Sequence, residues 1–134
     1  MPLPSDADRA VAKGPHGTVE FAVKSPERMA EAWDWKKDLR PQKWASFFVL
    51  FQRLLDEGEI HNTEQFKYLS SDVCEFKRGG DRLLCFRIGN RFLLTNTLKK
   101  SGRKIIAKDI VRSKKIGEGH LAWEKSRNRH LPGQ

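Results

Sequence analysis

Apolar positions recur with period two in some stretches of the chain and with period three to four in others. Thr18, Glu20 and Ala22 alternate with Val19, Phe21 and Val23, which predicts an opening strand over 18–23. Ser25, Pro26 and Glu27 then read as an N-cap, a first helical position and a first-turn acid, so a helix is expected to about Leu39. A second helix is expected from Pro41. Its stripe is Trp44, Phe47, Phe48, Phe51, Leu54 and Leu55, spaced for one helical face, and it ends near Gly58. An aromatic-rich stripe of this kind is core. After the short run Phe66–Leu69, period two returns over 73–77, 82–88 and 91–98. The first two of these runs are separated by Arg78-Gly79-Gly80-Asp81 and the last two by Gly89-Asn90, a two-residue hairpin signal. A last helix is expected from Ile105 to about Lys115, with Ile106, Ile110 and Val111 facing inward.

The order is strand, helix, helix, three-strand antiparallel meander, helix. That is an α+β fold, with the helices expected on one face of the sheet and the other face open. The length of 134 residues suits one domain, placed at 17–116. Residues 1–16 are expected as a flexible N-terminal arm. Residues 117–134, with little periodicity, are expected as a C-terminal tail.

Charge changes this picture by marking one segment. Formal net charge is +9. Residues 73–116 hold 13 of the 26 Lys and Arg but only 3 of the 17 acids, so the whole excess lies there. Such a segment is the footprint of a polyanion binder. The candidate phosphate contacts among its cations are Lys77, Arg78, Arg82, Arg87, Arg91, Lys99, Lys100, Arg103 and Lys104, with Lys67 just before the segment. Phe76, Phe86 and Phe92 alternate as core residues, which argues against a base-stacking platform in this segment. Cys74 and Cys85 lie inside apolar runs and read as buried thiols, and no Cys/His pair has zinc-finger spacing, so no metal is expected. The first ten residues lack a basic start and an apolar stretch, and the apolar cluster at 44–55 is interrupted by Ser46, Gln52 and Arg53. No signal peptide and no membrane span are expected, and the cytoplasm is the expected compartment.

An ordered set of short motifs runs through the same region. It comprises Lys67-Tyr68-Leu69, Cys74-Glu75-Phe76-Lys77-Arg78, Asp81-Arg82 before an apolar strand, Arg91-Phe92-Leu93-Leu94, and Leu98-Lys99-Lys100. Over residues 18–115 this set resembles the RelE/ParE toxin superfamily, and within it the phage-associated HigB-like branch. The resemblance implies a RelE-like fold and a type II toxin–antitoxin toxin that cuts mRNA in the ribosomal A site. The ribose 2′-hydroxyl attacks the adjacent phosphate, so neither a metal nor a cofactor is required. The implied partners are mRNA on the ribosome and a cognate antitoxin, often a helix-turn-helix protein.

Position by position, the resemblance assigns Arg82 to phosphate and transition-state contact, and Lys77 to the position of a family arginine. Glu75 matches the family glutamate, able to orient those cations or to move a proton. Lys67, Lys99 and Lys100 would hold phosphate. The chain departs from the pattern at Asp81 and lacks a C-terminal tyrosine, since Tyr68 is the only one. His61 and His120 are therefore further candidates for the general acid. Two other functions share this fold: inhibition of DNA gyrase, as by ParE-type toxins, and nucleic-acid binding without catalysis.

Overall fold

The computed structural model describes residues 3–24, 28–98, 104–105 and 107–129. The chain begins with α1 (Asp6–Arg9), β1 (Ala10–Gly14), β2 (Gly17–Phe21), β3 (Val23–Lys24) and β4 (Arg28–Met29). It continues with α2 (Glu31–Asp38), α3 (Pro41–Glu57), β5 (Phe66–Tyr68), β6 (Val73–Arg78), β7 (Asp81–Ile88), β8 (Arg91–Leu98) and α4 (Ala107–Arg129). Six strands form one mixed sheet in the order β1-β2-β8-β7-β6-β5, and β3 pairs with β4 apart from it. The meander β6-β7-β8 is antiparallel as its alternation predicts, and β2 returns parallel to β8.

The helices cover both faces of the sheet, not one. On one side α3 inserts Phe47, Leu50, Phe51, Leu54 and Leu55 against Val19, Phe21, Cys74, Phe76, Leu83, Cys85, Phe92 and Leu94. On the other, Ile110, Ile116 and Leu121 of α4 pack with Val73, Leu84, Phe86, Leu93 and Leu98. This is why Val73, Cys74, Glu75 and Phe76 are all buried: a strand covered on both sides loses its polar face. The buried stripe of α3 takes Leu50 in place of Phe48, which is 37% exposed.

Other elements depart from expectation for identifiable reasons. Arg28 and Met29 pair with Lys24 and Val23, so α2 begins only at Glu31; the Ser25-Pro26 signal lies outside the described residues. In the segment expected as an arm, Val11 and Ala12 cap the core and β1 hairpins onto β2. The segment expected as a tail is the second half of α4. Its inward stripe runs through Ser113, Gly117 and His120, none of which reads as apolar. Val111, expected inside, is 56% exposed, and Ile106 lies outside the described residues. Among the described residues no helix is long and apolar enough to cross a membrane.

Gly117 sets how closely α4 approaches the sheet. A Cβ there would lie 2.2 Å from two ring carbons of Phe86 and 2.5 Å from its Cβ. Alanine gains roughly 1 kcal/mol of helix propensity over glycine. Overpacking costs about 1–3 kcal/mol, more when the neighbour is fixed in a core. We therefore expect Gly117→Ala to lower the unfolding free energy in urea by about 1–2 kcal/mol; a stabilised variant would contradict this packing.

Candidate nucleic-acid site on the sheet

The turn between β6 and β7 decides whether the candidate residues meet. Gly79 takes φ +60°, which a side chain would resist, and the two-residue turn places Arg78 opposite Asp81 and Lys77 opposite Arg82. Glu75 then lies opposite Leu84 on one side and Lys67 on the other. Side chains alternate along a strand, so Lys67, Glu75, Lys77 and Arg82 share the face that α4 covers farther along the sheet. Four of the expected site residues thus come together.

At the centre is Glu75, 0% exposed, with neither carboxylate oxygen hydrogen-bonded. Arg82 Nη1 stands 3.7 Å from its Oε2, an ion pair but too long for a hydrogen bond. Burial pushes the Glu75 carboxyl above the ordinary carboxylate range, and the positive charges of Arg82, Lys77 and Lys67 pull the other way without cancelling it. Arg82 and Lys77 are half-buried and Lys67 is exposed. The cluster joins three cations able to hold phosphate with one carboxyl biased toward its protonated form.

The remaining expected residues separate from this cluster. Arg78 is engaged at α3: its Nε donates to the Ser46 carbonyl at 2.9 Å, and its own carbonyl accepts from Lys43 Nζ at 3.2 Å. Lys43 also pairs with Asp81 at 3.1 Å, which accounts for the acid before Arg82. Arg87 stacks on Tyr68, 5.5 Å from the ring centroid. His61 is exposed and pairs with Glu59 at 3.1 Å. Lys104 is exposed, while Lys99, Lys100 and Arg103 lie outside the described residues.

Arg91 and His120 belong to a second cluster at the other end of the strands. Six residue steps along β7 separate Arg82 from Ile88, the partner of Arg91, a span of about 20 Å at strand rise. Arg91 is clamped by Glu20 at 2.5 Å and by Glu124 at 2.8 and 3.0 Å. Those carboxylates hold its guanidinium firmly charged and take four of its five N–H donors. His120 is fully buried; its Nδ1 accepts from the Val23 N–H at 2.8 Å and its Nε2 faces Glu124 at 3.2 Å. It is not a loop histidine and does not reach Glu75. Glu20, His120 and Glu124 place ligand atoms within 4.8 Å of one another, in metal-like proximity, but the cation their carboxylates hold is Arg91. The sequence signal for this network was the i, i+4 pair His120/Glu124 on a helical segment.

No protein-family model matches the chain, and no curated protein matches it.

Two pH effects follow. Burial lowers the His120 imidazole against the pull of Glu124 and Glu20, and protonation would put a second donor against the Val23 N–H. A histidine depressed in the folded state contributes stability that is full above its unfolded value, near 6.5, and is lost as pH falls. Unfolding free energy should therefore drop below pH 6.5 with a slope approaching about 1.4 kcal/mol per pH unit, and His120→Gln should flatten that limb of a urea-denaturation series. Glu75 works with the opposite sign. Its raised carboxyl favours the folded state below pH 4.5 and loses that benefit as pH rises through the folded value. Glu75→Gln should gain progressively in unfolding free energy on the wild type between pH 4 and pH 7, and a constant difference across that range would refute the assigned cause.

Proposed function

We propose that the chain is a metal-independent endoribonuclease acting on mRNA at the ribosome, the toxin of a toxin–antitoxin pair. The observation that carries this reading is the strand register that gathers Lys67, Lys77 and Arg82 around the buried Glu75 carboxyl, which accepts no hydrogen bond. Two further features support it. From β2 onward the chain follows the order strand, two helices, three-strand meander and helix that the sequence predicts, within a larger sheet covered on both faces. The excess positive charge lies in the segment that builds the cluster.

RNA supplies its own nucleophile. The 2′-hydroxyl gives up its proton to water as its oxygen bonds to phosphorus, the bond from phosphorus to the 5′-oxygen breaks, and the leaving 5′-oxygen takes a proton. Charge accumulates on the non-bridging oxygens as this happens. Preorganised cations in a partly dehydrated site stabilise that charge, and Arg82 can grip two oxygens at once. Glu75 is the proton donor in this reading, because burial pushes its carboxyl above the ordinary carboxylate range. This reading gives that role to neither His120, buried against the Val23 N–H, nor His61, exposed and paired with Glu59. The partners of this reading are ribosome-bound mRNA and an antitoxin.

The decisive measurement is cleavage of a reporter mRNA in a translation extract. Wild-type protein should cut it without added metal. Arg82→Ala should lose roughly 10²–10³ in rate, and Arg82→Lys should recover part of it. Intact mRNA with the wild type, or equal cleavage by wild type and Arg82→Ala, sinks the reading. Intact mRNA together with blocked supercoiling by DNA gyrase would assign the protein to the gyrase-inhibiting toxins instead.

A further inference from the structure

A cleft of about 360 Å³ opens on the opposite face of the sheet from Glu75. Its walls are Phe21, Trp33, Trp44 and Phe48, with Val11 of β1 along one side and Lys36, Lys37 and Asp8 at the rim. The volume falls at the lower end of small-molecule sites, roughly 300–1,000 Å³. An aromatic wall of this kind is unusual at a surface unless something covers it.

The cleft is built rather than accidental. Trp44 stacks on Phe21 with centroids 5.8 Å apart and planes at 17°, and Trp33 meets Phe21 edge-on at 5.2 Å. Both indoles are therefore fixed by the core, and Phe21 belongs to the cluster under α3. Over the same two indoles lie two ammonium groups: Lys36 Nζ is 5.6 Å from the Trp44 centroid, and Lys37 Nζ is 5.4 Å from the Trp33 centroid. Lys37 also stands 3.8 Å from Asp34, whereas Lys36 has no ion-pair partner among the described residues. Asp8 adds one acceptor at the far rim.

We infer that this cleft binds a nucleotide, with the base taking the faces of Trp33 and Trp44 over which Lys36 and Lys37 lie in its absence, and the phosphate held by those two displaced ammonium groups. An aromatic wall alone would accept any apolar group, and lysines alone any anion. A ligand that uses both must carry a flat aromatic group and a negative charge a few ångströms apart. A nucleotide has that form, and stacking of bases on aromatic side chains beside cations is how single strands are held without base pairing. The occupant is either a free mononucleotide or one unit of a single-stranded RNA. The site is separate from the Glu75 cluster, so neither its presence nor its absence bears on cleavage.

Indole N–H signals of the four tryptophans, Trp33, Trp35, Trp44 and Trp123, provide the readout in a two-dimensional NMR titration. Adding AMP should shift Trp33 and Trp44 saturably and leave Trp123 in place. Inorganic phosphate at the same concentration should shift neither. Lys36→Gln with Lys37→Gln should weaken AMP binding at least tenfold while the far-ultraviolet circular dichroism and melting temperature hold. A single-stranded oligoribonucleotide that displaces AMP at a lower concentration than AMP itself requires identifies RNA as the source; failure to displace it identifies the free nucleotide. The proposal is overturned by unshifted indoles, by phosphate acting as well as AMP, by an unchanged dissociation constant in the lysine variant, or by stronger displacement with an acidic tryptophan-containing peptide, which would assign the cleft to a protein segment.

Discussion

The central strand β8 is the constraint on which the other elements depend. It pairs in parallel with β2 and antiparallel with β7, so it joins the N-terminal hairpin to the meander. It is also bulged. Leu83 faces Thr97 and Cys85 faces Leu94, so two residues of β7 span three of β8. Thr95 and Asn96 are both buried at that step. The Thr95 hydroxyl lies 3.1 Å from the Leu84 carbonyl and 2.6 Å from Ser113 Oγ, and Asn96 Nδ2 donates to the Asp109 carbonyl at 3.4 Å. A buried polar pair demands partners, and here the partners are on α4. The bulge therefore fixes where the last helix crosses the sheet. It also restores Leu98 to the α4 side, opposite Arg82, at the edge of the candidate site.

The sequence made the meander legible because its alternation, its two glycine turns and its lengths agree with one another. The same agreement exposed α3, where Pro41 opens the helix and Gly58 closes it in a left-handed conformation. It did not expose α4 beyond residue 117. A helix usually announces its buried face with Leu, Ile or Val, but this one buries Ser113, Gly117 and His120 because it lies close to Phe86 and hydrogen-bonds to Thr95 and Val23. Polar residues with partners and a glycine at a close approach look like a tail to any rule based on apolar period. The face of Arg82 was legible only conditionally, since it needed a two-residue turn at Gly79-Gly80, and a one-residue slip would have sent it to the other side. The roles of Arg78 and Arg91 were not legible at all, because nothing local distinguishes an arginine that meets solvent from one that meets Ser46, Glu20 or Glu124.

Charge segregation in the sequence and charge availability in the fold are different quantities. Arg91 contributes to the excess of residues 73–116, yet two carboxylates neutralise it. Arg78 is held at α3 by the Ser46 carbonyl, and Arg87 is spread over Tyr68. What is left on the α4 side near the β6–β7 turn is Lys67, Lys77 and Arg82, facing a single carboxyl. A partner that carries negative charge meets these three first.

The contrast between the two acidic clusters separates structure from function. Glu20 and Glu124 are saturated: each oxygen that matters has a guanidinium or imidazole nitrogen against it, and Arg91, His120 and Val23 are bound into one lock between β2, β3, β8 and α4. Such a network stabilises because nothing in it is left unpaired. Glu75 is the opposite case. A buried carboxyl without a donor costs stability, and leucine or glutamine would fit a strand covered on both faces better. Among the described residues the other buried charged side chain, Arg9, is hydrogen-bonded to Asp6 and to the Pro4 carbonyl, whereas Glu75 has only a long ion pair with Arg82 beneath three cations. Sites that work by holding a group in an unfavourable protonation state carry that cost as part of their chemistry. Glu75 is thereby the residue whose presence the packing of this sheet does not account for.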